Sequence, residues 1–375
     1  MLSGEEKNSP NPMEQIAQFS KEGYSCLKEG RLKDAAENFR KILELDPDNN
    51  YALVGLGEVE KKRGDYNAAI RQYQACLERH PDNKYALIGV ADCYRSLKLY
   101  QKSIDIWEQY LQQDDYDITV LTRIADAYRK VRDFDRSKEI YEKVLEIDAE
   151  NSYALNGLGH LHFDFKAYPE AVGYWKRMLG RDERNIKVLT SLGNCYRKLK
   201  DYSSGLPYFQ QAHDLETDNF YALFGIADCY RGLNMHQESL EAWQQILKFD
   251  SENKVIMTRV GDAYRSLGEL DQAEDYYHRA LNIEYDSYAV IGLALINKAR
   301  GKYPEAIESF TGLLVQNSKN HRLVLEMADC HIKMGNKPRA VEALTRYLRL
   351  GGKNTRVSEL LERLKRNDPD LGASA

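Results

Sequence analysis

No two of the six cysteines stand in a CxxC pair, and the six are scattered along the chain. That spacing gives neither a zinc ribbon nor a disulfide frame, so reduced thiols and no metal are expected. Nowhere is there an apolar run long enough to cross a bilayer, and the start, MLSGEEKNSPNP, lacks the cationic and apolar stretches of a signal peptide. A cytoplasmic location without membrane insertion is the expectation. Positive charge is also short. The formal net charge of −5 offers no overall basic field for a polyphosphate, which argues against a nucleic-acid partner. P-loop, HExxH, GxSxG and EF-hand patterns are all missing, so the sequence writes no catalytic residue and no cofactor site.

What the sequence has in abundance is self-similarity. VADCYRSL at Val90–Leu97 returns as IADCYRGL at Ile226–Leu233, an offset of 136 residues, or four steps of 34. Stepping by 34 places small residues at Gly23, Gly57, Ala91, Ala125, Gly159, Gly193, Ala227 and Gly261, then at Ala294 and Ala328 after a one-residue contraction. Large apolar residues stand four and one before each small residue, as Leu87 and Val90 do before Ala91. Those spacings build one face of a helix. Seven residues after the small one the chain breaks, at Gly30, Gly64, Gly268, Gly301 and Gly335, with Lys, Arg or Asn in the other repeats. A second helix follows, with Pro169, Pro304 and Pro338 expected at its first position. Its buried face carries a small residue and, four later, a ring or leucine: Phe39, Tyr73, Trp107, Tyr141, Trp175, Phe209, Trp243, Tyr277, Phe310, Leu344. One ring per repeat is the spacing of a core, not of a converging aromatic cage.

This 34-residue helix–turn–helix, closed by LELDPDN at Leu43–Asn49, resembles the tetratricopeptide repeat. The resemblance implies an all-α fold, a right-handed α-solenoid (superhelix) of tandem helix-turn-helix units. Ten repeats are expected over 16–352, starting near 16, 50, 84, 118, 152, 186, 220, 254, 287 and 321. A disordered tail is expected over 1–15, a capping helix over 353–367 from the stripe Val357, Leu360, Leu361 and Leu364, and a flexible tail over 368–375.

Four cysteines, Cys93, Cys195, Cys229 and Cys330, share one slot, filled elsewhere by Ala127 and Ala263. A slot that accepts alanine asks for a small side chain, so these thiols read as packing groups and not as nucleophiles. His160 and His162, two apart on a helix, do not face one way and read as packing or solvent groups.

The resemblance sets one stripe of the first helices along the concave groove, where that family binds extended peptides or helices. On it stand Asp92, Asp126, Asn194, Asp228 and Asp262, followed three residues later by Arg95, Arg129, Arg197, Arg231 and Arg265. Acid and base three apart can neutralise each other, or the same groups can bind a partner chain. Both readings stay open. Tyr51, Tyr85, Tyr153, Tyr221 and Tyr288 each precede a small residue by six, with Gly55, Gly89, Gly157, Gly225 and Gly292 four residues on. Other repeats carry Arg123, Ser191 and Arg259 where these have glycine, giving the central array a period of 68. Glycine inside a helix costs about 1 kcal/mol against alanine, so each asks for a reason: close approach of a bound backbone, or room for a neighbouring side chain.

The function expected is therefore a non-catalytic protein–protein interaction scaffold holding a peptide or helix of a partner protein. The alternative is a regulatory or targeting subunit of an enzyme whose activity lies on another chain, and an RNA-binding helical repeat is less favoured. Self-association stays open. No repeat carries the Lys and Asn of the carboxylate clamp used by chaperone adaptors.

Overall fold

The computed structural model describes residues 11–366, and every regular element among them is an α-helix. Of the expected N-terminal tail over 1–15, residues 1–10 lie outside the described residues, as do residue 367 of the expected capping helix and the whole expected C-terminal tail over 368–375. Consecutive helices pack as hairpins, and the chain divides into two compact units, with the boundary in the sequence between Glu183 and Arg184. The N-terminal unit stacks five hairpins, whose first helices are Pro12–Lys28, Asn50–Arg63, Lys84–Ser96, Ile118–Lys130 and Ser152–Asp164. The C-terminal unit stacks five more, with first helices Ile186–Lys198, Phe220–Gly232, Lys254–Leu267, Ser287–Ala299 and His321–Lys333, and ends in Thr355–Lys365. Val357, Leu361 and Leu364 of that last helix are buried against Val324, Leu344 and Tyr347. It covers the apolar face that the tenth hairpin would otherwise leave wet.

The first helix starts at Pro12, not at 16, so residues 12–15 are ordered helix and not tail. Asn11 is the reason: its side chain accepts from the Met13 N–H, and proline follows at the first position, where its missing N–H costs nothing. The same device recurs down the chain. Asn49, Asn83, Asp117, Asn151, Asn185, Asn219, Asn253, Asp286 and Asn320 each cap the first helix of a hairpin with a side-chain oxygen. Pro169, Pro304 and Pro338 sit at the second helical position and not the first, still within the turn whose N–H groups lack intrahelical partners.

Each hairpin turns on one left-handed residue. Gly30, Gly64, Gly268, Gly301 and Gly335 have φ between +74° and +84°, and the remaining five turns hold Lys98, Arg132, Lys166, Lys200 and Asn234 at φ between +59° and +69°. The geometry is common to all, since at Lys200, as at Gly64, the next N–H reaches back five residues to a helix carbonyl, Asp201 to Tyr196 and Asp65 to Glu60.

Behind the turns, the second-helix rings form the core. Trp107, Trp243, Tyr73, Tyr277, Phe39, Phe209 and Phe310 are fully buried, and Trp175 is nearly so. Ser103, Ser137 and Ser239, in the small slot of the second helix, each donate a hydroxyl to the carbonyl of the small residue opposite, Ala91, Ala125 and Ala227, at 2.7–2.8 Å. The buried serine hydroxyl is thereby satisfied within each of these three hairpins.

A side chain in the left-handed region costs of order 1 kcal/mol relative to glycine. Lys166→Gly and Lys200→Gly, which remove no hydrogen bond between side chains, should each raise stability by about 0.5–1 kcal/mol. Urea unfolding followed by circular dichroism would show the midpoint moving up.

Candidate partner-binding face

The stripe of the first helices is built by two constraints, one from the core beneath it and one from the caps at its start. From beneath, each second-helix ring lies between the small residue of its own first helix and a residue of the next first helix. A Cβ on Gly55 would come within 2.5 Å of the Phe39 ring, and one on Gly57 within 2.5 Å of Tyr73. At Gly89, Gly157, Gly225 and Gly292 a Cβ would run into Tyr73, Tyr141, Phe209 and Tyr277. All five glycines of this series are buried. The close approach is therefore made by a ring of the preceding hairpin, and the reading in which a bound backbone needs the space is corrected. Where tryptophan is the ring, the next hairpin carries no glycine: Trp107 precedes Arg123 and Trp243 precedes Arg259. The 68-residue alternation is a packing code between adjacent hairpins.

Charges on the stripe are largely paired within the protein. In the N-terminal unit, Asp92 accepts from Arg123 of the next hairpin at 2.9 Å and faces Arg95 at 3.7 Å. Asp126 meets Arg129 at 2.7 Å, and Arg129 also reaches Asp164. In the C-terminal unit, Arg197 and Arg231 grip Asp228 at 2.9 and 2.6 Å, while Arg197 also donates to Asn194 at 2.9 Å. Asp262 has Arg259 at 3.6 Å, Arg265 at 3.9 Å and the Tyr277 hydroxyl at 2.8 Å. Burial alone would raise the Asp228 carboxyl, but hydrogen bonds from Arg231 and Arg197 outweigh it and hold the group below its ordinary 3.8. Lys298, bonded to Glu326 and Asp329 at 2.6 Å, does the same work in the ninth and tenth hairpins, and neither Lys298 nor Glu326 was in the expected set.

The five tyrosines behave differently. Tyr51, Tyr85 and Tyr153 in one unit, and Tyr221 and Tyr288 in the other, all occupy the second position of a first helix, directly after its capping turn. They are 62–77% exposed, and no hydroxyl among them has a hydrogen-bond partner among the described residues. Two residues outside the expected set join Tyr51 and Tyr85. Tyr24 and Glu58 line the same cleft, and both stand one after the small residue, the place Asp92 takes in the third hairpin. That shared position was the available signal, hidden because it reads Tyr and Glu and not Asp.

The remaining candidates settle as packing groups. Cys93, Cys195, Cys229 and Cys330 are fully buried, and burial pushes their thiols up to about 11, 12, 12 and 11. A thiol so placed is not a thiolate at neutral pH. His162 is buried between Phe134 and Tyr174 with neither ring nitrogen bonded, and burial lowers its value below 6.5. His160 lies edge-on to Trp175. Among the described residues no group of His, Cys, Asp and Glu could hold a metal ion, and no helix is long and apolar enough to cross a membrane.

The repeat pattern agrees with known sequence families. Models described as tetratricopeptide repeat match residues 21–61, 59–118, 122–185, 186–219, 221–250, 257–287 and 298–364. The chain belongs to the tetratricopeptide repeat family. Its repeats share their fold with a tetratricopeptide repeat protein from Parabacteroides merdae, at 14% identity and a TM-score of 0.52, over 67% of this chain and 99% of that one. Similar too are YrrB, described as a repeat protein with an unusual peptide-binding site, at 22% identity and TM-score 0.43 over 49% of this chain and 95% of that one. The Cut9–Hcn1 assembly of the APC/C matches at 14% and 0.43 over 95% and 92%. No curated protein sequence matches the chain.

Three variants test the packing and pairing of the tetratricopeptide stripe. Gly225→Ala should destabilise by about 1–3 kcal/mol, because Phe209 is held between Gly193 and Gly225 and cannot retreat. Adding Phe209→Leu should recover part of the loss, as read by thermal and urea unfolding. Asp228→Asn should cost about 1–3 kcal/mol at neutral pH by leaving Arg197 and Arg231 without their counter-charge. A folded value below 3.8 means that this stability is present above 3.8 and is lost as pH falls through the lowered value. The melting temperatures of the parent and Asp228→Asn should therefore differ at neutral pH and converge in acid.

Proposed function

We propose that the chain is a non-catalytic interaction scaffold whose first-helix face binds a peptide segment or helix of a partner protein, with the tyrosines as anchors. One observation carries this reading: five tyrosine rings, in the same place in five hairpins, stay 62–77% exposed, while Leu53, Leu87, Leu155 and Leu223 of the same helices are buried. Tyrosine offers a large, amphipathic contact area at low entropic cost, and rings of this kind dominate the energetics of protein interfaces. The charged ladder has a lesser part. Asp92, Asp228 and Asp262 already have internal arginine partners, so a bound chain would exchange one pairing for another with little gain. Arg123 and Arg259, 34% and 35% exposed, orient a partner more than they hold it. The same face serves whether the partner is a lone protein or an enzyme that this chain targets or regulates.

Tagged protein captures its partners from native cells, and the comparison is between the parent and Tyr85→Ala, Tyr153→Ala and Tyr221→Ala. Each substitution should weaken binding of a captured partner by about 1–3 kcal/mol and leave the melting temperature in place, because an exposed ring has little packing to lose. Glu139, exposed on a second helix, supplies the control: Glu139→Lys should leave affinity alone. Tyrosine variants that bind normally but melt early would overturn the proposal.

A further inference from the structure

The first three hairpins enclose a cleft of about 440 Å³, walled by Tyr24, Tyr51 and Tyr85, with Val54 and Ile88 between them and Glu58 among its lining. We infer that this cleft is the subsite for one basic side chain, lysine or arginine, of the bound partner, with the Tyr rings flanking the cation and Glu58 as its counter-charge. The inference rests on the reading of the first-helix face as a partner site and adds to it the chemistry of one position.

The carboxylate is the distinguishing feature. Glu58 occupies the ladder position held one hairpin later by Asp92. Across Asp92 lies Arg123, delivered by the following first helix at 2.9 Å. The equivalent residue opposite Glu58 is Gly89, and it has no side chain because the Tyr73 ring fills the space a Cβ would need. The packing that demands glycine has therefore removed the cation that would cross from the next hairpin. Glu58 keeps two internal partners, Lys61 Nζ and the Tyr73 hydroxyl, each donating at 2.6 Å, but both bond to Oε1. Oε2 takes no hydrogen bond from any described residue. The cation that Asp92 takes from Arg123 has no counterpart here, and a partner can supply one to Oε2.

The walls suit the same occupant. The Tyr24 hydroxyl donates to the Tyr51 carbonyl at 3.0 Å, which fixes that ring and turns its polar end away from competition for the carboxylate. Burial, and after it the Glu58 charge, push Tyr24 up to about 12, which keeps the hydroxyl protonated at neutral pH. Tyr51 and Tyr85 keep exposed faces at the cleft, and a cation within about 6 Å of a ring centroid is attracted by its quadrupole. A neutral side chain of the same shape would gain the contact area alone.

The probes are Nα-acetylarginine amide and its neutral isostere Nα-acetylcitrulline amide, titrated into the full chain carrying 13C-labelled tyrosine rings. The arginine probe should shift the Tyr24, Tyr51 and Tyr85 signals and bind about fivefold more tightly than the citrulline probe, a preference that falls with added salt. Glu58→Gln should abolish the preference while leaving the citrulline affinity unchanged. Tyr51→Leu, which replaces an exposed ring, should weaken the arginine probe and keep the fold if Glu58→Gln proves unstable. Equal binding of the two probes, no response at the three rings, or a preference that survives Glu58→Gln would each overturn the assignment. Because the probes need no partner protein, that failure is separable: if Tyr153→Ala and Tyr221→Ala still lose captured partners, the wider face stands and only the basic subsite falls. A retained arginine preference with unaffected capture would do the reverse.

Discussion

Within each compact unit, the arrangement of the first-helix face depends on one contact, an aromatic ring of a second helix held between two first helices. Phe39 lies between Gly23 and Gly55, Tyr73 between Gly57 and Gly89, Phe209 between Gly193 and Gly225, and Tyr277 between Gly261 and Gly292. Such a ring buries a large apolar area, and at these four sites glycine on both sides lets it lie against two backbones. It fixes how closely successive hairpins approach. That spacing in turn fixes which side chains of adjacent first helices meet.

From this contact the electrostatics follow. Where a tryptophan leads the next hairpin, an arginine can occupy the following position, and Arg123 crosses to Asp92. Where Phe39, Tyr73, Tyr141, Phe209 or Tyr277 leads, glycine follows and no such cation is available, as at Glu58, whereas Phe310 is followed by Glu326. The ladder is therefore uneven: Asp92 and Asp228 each take an arginine from a neighbouring hairpin, while Glu58 has Lys61 of its own helix and the Tyr73 hydroxyl. Because such pairs are partly exposed, each pair adds little net stability. The exposed tyrosines are set by a separate constraint. Each follows a capping turn, where the helix has only begun and no preceding turn covers the ring.

Much of the fold was legible in the sequence because its signals are local and repeated. Spacings of three and four name a helix face, a left-handed turn falls at the same step whether filled by glycine or by lysine, and a 34-residue offset locates each hairpin. The buried cysteines were legible for the same reason, since alanine in the same slot reveals what the slot asks for. The candidate face was legible as positions but not as interactions. Glu58 and Tyr24 could be placed on the stripe and yet passed over, and Gly89 could be noted without knowing what lay against it.

Sequence by itself determined the helices, their turns and caps, the burial of one ring per repeat and the list of side chains on the first-helix face, because each depends on residues within a few positions of one another. Tertiary structure alone decided what that list means. Gly55 and its counterparts face a ring from the preceding hairpin and not a ligand, Asp228 is already claimed by two arginines, and Glu58 is not closed from the next hairpin. These outcomes turn on contacts between residues some 30 positions apart, and the distance across such a contact is set by how helices pack, which no single repeat encodes.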